Sequence, residues 1–224
     1  MNENLYSKEL ICPVCSKKFK VTKVKMKACK VERRDTDFCI HYKDINPMFY
    51  DAWVCENCGY ASLSDKFEEI PSREADILKK ELAPKWSKRS LEGERNVDTA
   101  IEAFKLVLYN YQLRSSKASE IAKVCMRIAW LYRIKEDARE HDFVKFALKA
   151  YQDTYENERF PADKLDESTC MYIIGELSRR AGNYDEATKW LSRLISSPEA
   201  RKKPTLIEAA RDQFQLVKTQ MAGE

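Results

Sequence analysis

Two cysteine pairs, each with a two-residue gap, are the part of this sequence with the clearest chemistry. The first is Cys12-Pro-Val-Cys15, and the second is Cys55-Glu-Asn-Cys58, which runs directly into Gly59. A two-residue gap lets one tight turn present two sulfurs to the same ion, and structural zinc takes four such ligands in a tetrahedron. Proline in the first turn and a glycine after the second fit tight-turn geometry. We therefore predict one structural Zn²⁺ per chain, bound by Cys12, Cys15, Cys55 and Cys58.

The segment between the two pairs contains three further residues that can bind metals: Cys29, Cys39 and His41. A site that already has four ligands needs none of them. We interpret Cys29 as a packing or surface residue. For Cys39 our first interpretation is a small packing residue, and the alternatives are an auxiliary metal ligand and a redox-active thiol.

Each cysteine pair needs strands that lead into and out of its turn. Val21–Ala28 alternates lysine with apolar residues from Lys23 onward, which is the pattern of a half-exposed strand. Residues 51–54 lead into the second pair and predict its strand. These segments predict a small β zinc ribbon over residues 1–63.

The insert between the pairs is strongly basic near its start. Nine basic residues and one acidic residue, Glu32, lie between Lys17 and Arg34. A basic strand could follow the phosphates of a nucleic acid. Lysines also keep an exposed strand edge from pairing with another chain. We favour a solvated strand face and keep nucleic-acid binding as the alternative.

Four stretches of the sequence are similar to a known family. They are Ile11-Cys-Pro-Val-Cys15, Arg34-Asp-Thr-Asp-Phe-Cys39, Ile45-Asn-Pro47 and Tyr50-Asp-Ala-Trp-Val-Cys-Glu-Asn-Cys-Gly-Tyr-Ala61. With these motifs, most of the chain resembles the bacterial domain of unknown function family 2225. The resemblance implies a cytoplasmic bacterial protein with a zinc-ribbon head and a helical, repeat-like tail, and it implies no activity. One departure is Ile40, at a position where proline usually follows the middle cysteine of the family.

From about residue 64 the apolar residues recur with a period of 3.6, which predicts about seven helices. Met171-x2-Ile174-Gly175 followed by Ala187-x3-Leu191 partly matches the tetratricopeptide (TPR) template. Gly175 and Ala187 are small where two helices of such a pair approach each other. We predict that residues 64–224 form an all-α domain of degenerate TPR-like hairpins, with a plain helical bundle as the alternative.

Composition and patterning exclude several classes of protein. The 40 basic and 36 acidic residues nearly balance, so bulk charge gives no reason to expect nucleic acid or membrane as a partner. The N-terminus lacks the apolar core of a secretory signal, and no run approaches the ~18 apolar residues of a membrane span. The five glycines are too scattered for a phosphate-binding loop. We expect a cytoplasmic protein without a membrane partner, in a compartment where thiols stay reduced.

These observations point to an interaction module and away from an enzyme. The sequence has two histidines, and a zinc ion closed by four thiolates lacks the open position that metal catalysis needs. Stacked helical hairpins form a groove that suits a protein or peptide. We therefore predict a protein–protein interaction adaptor; the alternatives are a nucleic-acid-associated or regulatory protein that uses the basic ribbon face, and a redox or zinc sensor. A minority of the following aromatic residues could line the groove: Tyr109, Tyr111, Trp130, Tyr132, Tyr151, Tyr155, Tyr172 and Trp190.

Overall fold

A computed structural model describes residues 3–222 of the chain. Within these residues, six short β-strands precede seven α-helices. The predicted fold class, a small β region with a four-cysteine cluster followed by an all-α region, is confirmed. The outer ends of the two predicted domains, residues 1–2 and 223–224, lie outside the described part.

The six strands form three antiparallel hairpins. The strands are β1 (Leu5–Ile11) with β2 (Lys18–Val24), β3 (Val31–Arg34) with β4 (Ile40–Tyr42), and β5 (Ala52–Val54) with β6 (Ala61–Leu63). The first cysteine pair lies in the turn between β1 and β2, and the second lies in the turn between β5 and β6. Each pair is therefore held at the end of its own hairpin.

The strand predicted over Val21–Ala28 ends earlier than its sequence pattern indicates. β2 ends at Val24, and Met26–Ala28 form a 3-10 turn in which Met26 is 70% exposed and does not point inward. Val24 pairs with Leu5, the first residue of β1, and beyond it a single backbone hydrogen bond, from the Lys25 amide to the Asn4 carbonyl over 2.9 Å, precedes the 3-10 turn. The length of β1 therefore overrides the alternating pattern.

The helices follow the predicted order and number. They are α1 (Ser72–Glu81), α2 (Val97–Leu113), α3 (Ala118–Ile134), α4 (Glu140–Asn157), α5 (Glu167–Arg180), α6 (Tyr184–Ser196) and α7 (Pro204–Ala222). Asparagine caps α2, where the Asn96 side chain accepts a hydrogen bond from the Thr99 amide. Across residues 3–222, none of these helices has both the length and the apolar composition that crossing a membrane requires.

The chain divides into two compact units whose limits differ from the boundary predicted at residue 63/64. Unit 1 contains the residues up to Arg34, Ile40–Ser116 and Trp130–Asp137. Unit 2 contains Asp35–Cys39, Lys117–Ala129 and the residues from Ala138 onward. Helices α1 and α2 therefore belong with the cysteine-bearing hairpins, and independent folding of residues 64–224 stays a prediction.

The core of unit 1 is built around Phe67 and includes the cysteines. The ring of Phe67 lies 4.7 Å from that of Tyr60, 5.5 Å from Phe19 and 5.8 Å from Trp53. Leu78 of α1 is buried in the same cluster, which also contains Cys12, Cys55 and Cys58. The aromatic core and the cysteine cluster are thus one packed region.

Unit 2 contains the helix pair that the sequence predicts most specifically. A Cβ atom at Gly175 of α5 would lie 2.8 Å from Cγ of Leu191 in α6, and Ala187 of α6 is fully buried. The close approach predicted at these two small residues is confirmed. The turn between β3 and β4 also belongs to this unit, where the Tyr172 hydroxyl donates to the Thr36 carbonyl over 2.9 Å.

Candidate metal centre

The two cysteine turns have the same local backbone structure. In the first, the Ser16 amide donates to the Cys12 carbonyl over 2.9 Å, and in the second the Gly59 amide donates to the Cys55 carbonyl over 2.9 Å. The residue that ends each turn has a positive φ, 58° at Ser16 and 75° at Gly59. The two turns therefore present their sulfurs in equivalent ways.

The four sulfur atoms have the spacing of ligands around one ion. The distances Cys12 Sγ–Cys58 Sγ and Cys15 Sγ–Cys55 Sγ are both 3.7 Å, and all four sulfurs lie within 4.8 Å of one another. A tetrahedral site with Zn–S bonds of about 2.3 Å has S–S edges of about 3.8 Å. Disulfide sulfurs lie about 2.05 Å apart, so the spacing does not fit two disulfides. The four residues together fit a tetrahedral metal ion.

Backbone amides of both turns are directed at the sulfurs. The Cys15 amide donates to the sulfur of Cys12, and the amides of Asn57 and Cys58 donate to the sulfur of Cys55. The Tyr60 amide donates to the sulfur of Cys58. Hydrogen bonds of this kind stabilise the thiolate form that binds metals.

Close packing makes the ionisation of the thiols interdependent. The neighbouring Cys55 sulfur raises the pKa of the Cys12 thiol to about 12, and hydrogen bonds from Cys12 and Cys58 lower the pKa of Cys55 to about 2. The pKa of Cys58 is also raised, because Cys12 and Cys55 lie beside it. A divalent cation reduces this conflict, since it offsets half of the negative charge of four thiolates and binds them without their protons.

Asn110 of α2 holds the backbone that leaves the second turn, a role that sequence reasoning missed. Its side chain is fully buried; Oδ1 accepts from the Ala61 amide over 3.1 Å, and Nδ2 donates to the Gly59 carbonyl over 3.3 Å. The side-chain amide thus satisfies the two backbone groups as a neighbouring strand would. The sequence did contain a signal of this role: Asn110 is a polar residue on the buried face of α2, between the apolar Val107 and Tyr111.

The remaining candidate residues have other surroundings. Cys29 packs against the cluster that contains Leu5 and Val24. Cys39 is fully buried, and its amide donates to the Asp37 carboxylate over 3.3 Å. The placement of Cys29 agrees with a packing role. The Cys39 sulfur lies within 4.8 Å of an Asp35 carboxylate oxygen, so its interpretations as a packing residue and as an auxiliary metal ligand both stand. His41 lies in β4 with Nδ1 3.3 Å from the guanidinium of Arg33, and His141 is exposed on α4.

Comparison with known families agrees with the motifs around these turns. The family described as "Uncharacterized protein conserved in bacteria (DUF2225)" matches residues 5–217. The chain belongs to this family. The match includes both cysteine turns and nearly all of the helical region, which confirms the resemblance seen in the sequence. No curated protein and no solved structure matches the chain, so membership of DUF2225 adds no activity, cofactor or partner to what the residues indicate.

Proposed function

We propose that this DUF2225 protein is a cytoplasmic, non-enzymatic protein–protein interaction adaptor with one structural zinc ion at its four cysteines. Cys12, Cys55 and Cys58 are buried in the core of unit 1, and Cys15 is half-buried. Four thiolates fill a tetrahedral coordination sphere, so an ion held there has no position for a substrate. When bound, zinc would join hairpin β1–β2 to hairpin β5–β6 and so stabilise the fold.

A half-exposed aromatic cluster in unit 2 is the observation that carries the adaptor role. Trp190 of α6 packs edge-on against Tyr155 of α4 with ring centroids 4.8 Å apart, and Phe160 lies 5.8 Å from Tyr155. The Arg193 guanidinium lies 4.8 Å from the Tyr155 ring and 5.5 Å from the Trp190 ring. Tryptophan, tyrosine and arginine dominate the binding energy of protein interfaces. We propose this cluster, on TPR-like hairpins, as the partner-binding surface.

Most other aromatic residues considered for a groove lie in the core. Tyr111, Tyr132, Tyr151 and Tyr172 are buried, whereas Tyr109 is 44% exposed and Trp130 is half-buried. Four of the eight, Tyr109, Trp130, Tyr155 and Trp190, are thus at least partly exposed, and of these Tyr155 and Trp190 pack together in one cluster. This restricts the proposed surface to the region around Tyr155 and Trp190.

The adaptor proposal is tested by capture of partners from native bacterial cytoplasm with the full chain, with and without nuclease. We expect a protein that survives nuclease treatment and is lost with the double variant Trp190→Ala/Arg193→Ala. Tyr109→Ala is the matched control, because it removes an exposed aromatic residue outside the cluster. Equal capture by the wild-type chain and the double variant would contradict the proposed surface.

A nucleic-acid-associated or regulatory role is the second candidate, favoured by exposed lysines in the basic segment from Lys17 to Arg34. Lys17, Lys20 and Lys27 are exposed, while Lys18 lies 2.8 Å from the Glu9 carboxylate. If the three exposed lysines bound phosphates, affinity would depend steeply on salt, and their change to glutamine would lower the slope by roughly 0.9 for each B-DNA phosphate no longer neutralised. We expect weak binding in fluorescence anisotropy and little change in the triple variant, because a local cluster is screened beyond about 8 Å. Tight binding of nucleic acid by the wild-type chain that is lost in the triple variant would favour the nucleic-acid role over the adaptor role.

A further inference from the structure

The segment Trp86–Arg95, here called the strap, is bonded along its length to the cysteine-bearing part of unit 1. At its start, Trp86 Nε1 donates to the Glu56 carbonyl, inside the second cysteine turn, over 2.8 Å. At its end, the Arg95 guanidinium donates to the Phe49 and Ala52 carbonyls over 2.9 and 2.8 Å. Charged residues of this kind are typical of a solvated linker, but the structure shows a segment that is attached at both ends.

The middle of the strap contacts the first hairpin. The Gly93 amide donates to Oγ1 of Thr22 in β2 over 2.7 Å, and Oγ of Ser7 in β1 donates to the Glu92 carboxylate over 2.7 Å. The strap is therefore bonded both to the hairpin that carries Cys12 and Cys15 and to the turn that carries Cys55 and Cys58.

The indole of Trp86 lies directly on the second turn. A Cβ atom at Gly59 would lie 2.6 Å from Cδ2 and Cε3 of Trp86, so the ring contacts the Gly59 backbone with no space between them. Gly59 follows Cys58 directly, and its amide closes the turn on the Cys55 carbonyl. The ring therefore covers the backbone that carries two of the four sulfurs.

Charged residues of the strap hold the indole in this position. The Arg89 guanidinium lies 4.9 Å from the Trp86 ring, and its Nη2 lies 2.8 Å from the Glu102 carboxylate of α2. The Lys88 ammonium lies 3.8 Å from the carboxylate of Glu56, the residue whose carbonyl accepts the indole N–H. A cation over an indole face adds to the attraction between the two side chains.

We propose that Trp86 is the cap of the metal centre: it closes the Cys55–Cys58 turn and directs metal exchange to the Cys12–Cys15 turn. This inference rests on the proposed zinc site. Release of an ion requires an incoming ligand to reach it while a protein sulfur moves away. The indole blocks both events at the second turn, by covering its backbone and by holding the Glu56 carbonyl. Cys15, the half-buried sulfur of the four, is then the point at which a competing ligand enters.

The test is the rate at which zinc passes from the loaded full chain to the chromogenic chelator 4-(2-pyridylazo)resorcinol. We expect one zinc per chain in every protein and release at least 10-fold faster from Trp86→Ala. Trp86→Phe keeps a ring on Gly59 but loses the N–H donor, so it should be intermediate and is the variant that preserves packing. Phe146→Ala, which removes an exposed aromatic ring in unit 2, is the matched control and should release zinc at the wild-type rate.

Alkylation of the zinc-loaded chain with iodoacetamide gives a second readout of the direction of exchange. Among the four cluster cysteines, mass spectrometry should show Cys15 modified first in the wild-type chain. In Trp86→Ala, Cys55 and Cys58 should be modified at a similar rate to Cys15. One zinc per chain with unchanged release from both Trp86 variants would overturn the cap and leave the zinc site standing. A wild-type chain without zinc would overturn both.

Discussion

The two cysteine turns share one backbone conformation but have different surroundings. The Cys12 amide donates to the Lys17 carbonyl over 3.0 Å, and the Cys55 amide donates to the Tyr60 carbonyl over 2.8 Å. Together with the shared positive φ after each pair, these bonds make the turns local copies of each other. Differences in their behaviour must therefore come from what packs around them.

The residue that ends each turn shows this most directly. Ser16 is exposed, whereas Gly59 is buried under the indole of Trp86. A side chain in the left-handed region costs roughly 1–2 kcal/mol, and at the exposed Ser16 this is the only cost of a side chain. At the second turn a Cβ would also meet Trp86 at 2.6 Å. The turn alone therefore favours glycine, whereas packing against Trp86 requires it at residue 59.

The side chains that support the turns also differ. The second turn is held by Asn110, through the carbonyl of Gly59, and by Trp86, through that of Glu56. The first turn is followed by Lys18, whose carbonyl accepts a single exposed bond from Asn57 over 3.2 Å. We infer that the second turn is the anchored half of the centre and the first is the open half.

Removal of one cysteine ligand should have the largest effect on stability. The effect should be equally large whichever of the two turns loses its cysteine. Cys12→Ser and Cys58→Ser are each expected to lose the zinc and unfold the hairpins of unit 1. The reason is that structural zinc contributes on the order of 10–16 kcal/mol in small zinc-finger peptides. Zinc content by mass spectrometry and thermal melts by circular dichroism measure both effects.

Cys29→Ser is the control for the Cys12→Ser and Cys58→Ser variants. Cys29 packs against the cluster of Leu5 and Val24 and lies outside the four-sulfur group. It should keep one zinc per chain and a cooperative melt. A Cys12 or Cys58 variant that retains stoichiometric zinc would mean that fewer than four sulfurs hold the ion.

Features coded by short-range spacing could be predicted from the sequence. A two-residue gap fixes the geometry of a cysteine turn locally, so the pairing of Cys12 with Cys15 and of Cys55 with Cys58 needed no knowledge of the fold. Helical periodicity is also local, and it gave the order of the seven helices. Gly175 and Ala187 could be interpreted together because a short turn joins their helices.

Features set by distant partners could not be predicted in this way. Trp86 bonds to a carbonyl 30 residues earlier, and Asn110 bonds to one 51 residues earlier. The charged residues around Trp86 are typical of a linker, and nothing local shows that the indole lies on Gly59. The early end of β2 at Val24 likewise depends on where β1 begins. Single-sequence patterns contain neither kind of information.

The difference in anchoring predicts unequal costs for two asparagine substitutions. Asn110→Ala leaves the Gly59 carbonyl and the Ala61 amide buried without a partner, at about 1–3 kcal/mol each. The free energy of unfolding of the zinc-loaded chain should fall by roughly 4 kcal/mol in urea titrations. Asn57→Ala is the matched change, and it should cost less than about 1 kcal/mol because its bond to Lys18 is exposed. Equal losses would show that the two turns are anchored to the same extent.

The smallest effects should come from exchanging the residues that end the turns. Gly59→Ala is expected to lower the free energy of unfolding by about 3 kcal/mol, from the left-handed backbone and from overpacking against Trp86. Ser16→Gly should change it by no more than about 1 kcal/mol, because the relief of the left-handed backbone is partly offset by a more flexible unfolded chain. Urea unfolding of the zinc-loaded proteins measures both. A Ser16→Gly effect as large as that of Gly59→Ala would mean that the turns alone set the requirement.

A double-mutant cycle separates the two parts of the Gly59 effect. In a Trp86→Ala background the steric part disappears, so Gly59→Ala should then cost only the roughly 1–2 kcal/mol of a left-handed alanine. The two substitutions should therefore be non-additive, with a coupling of about 1–2 kcal/mol, as expected for residues in direct contact. Ser16→Gly in the same background should add independently, since Ser16 is exposed and ends the other turn. If Gly59→Ala lowers the free energy of unfolding equally in both backgrounds, contact with the indole is not the reason for glycine at this position. The proposed contrast between an open first turn and a capped second turn would then be wrong.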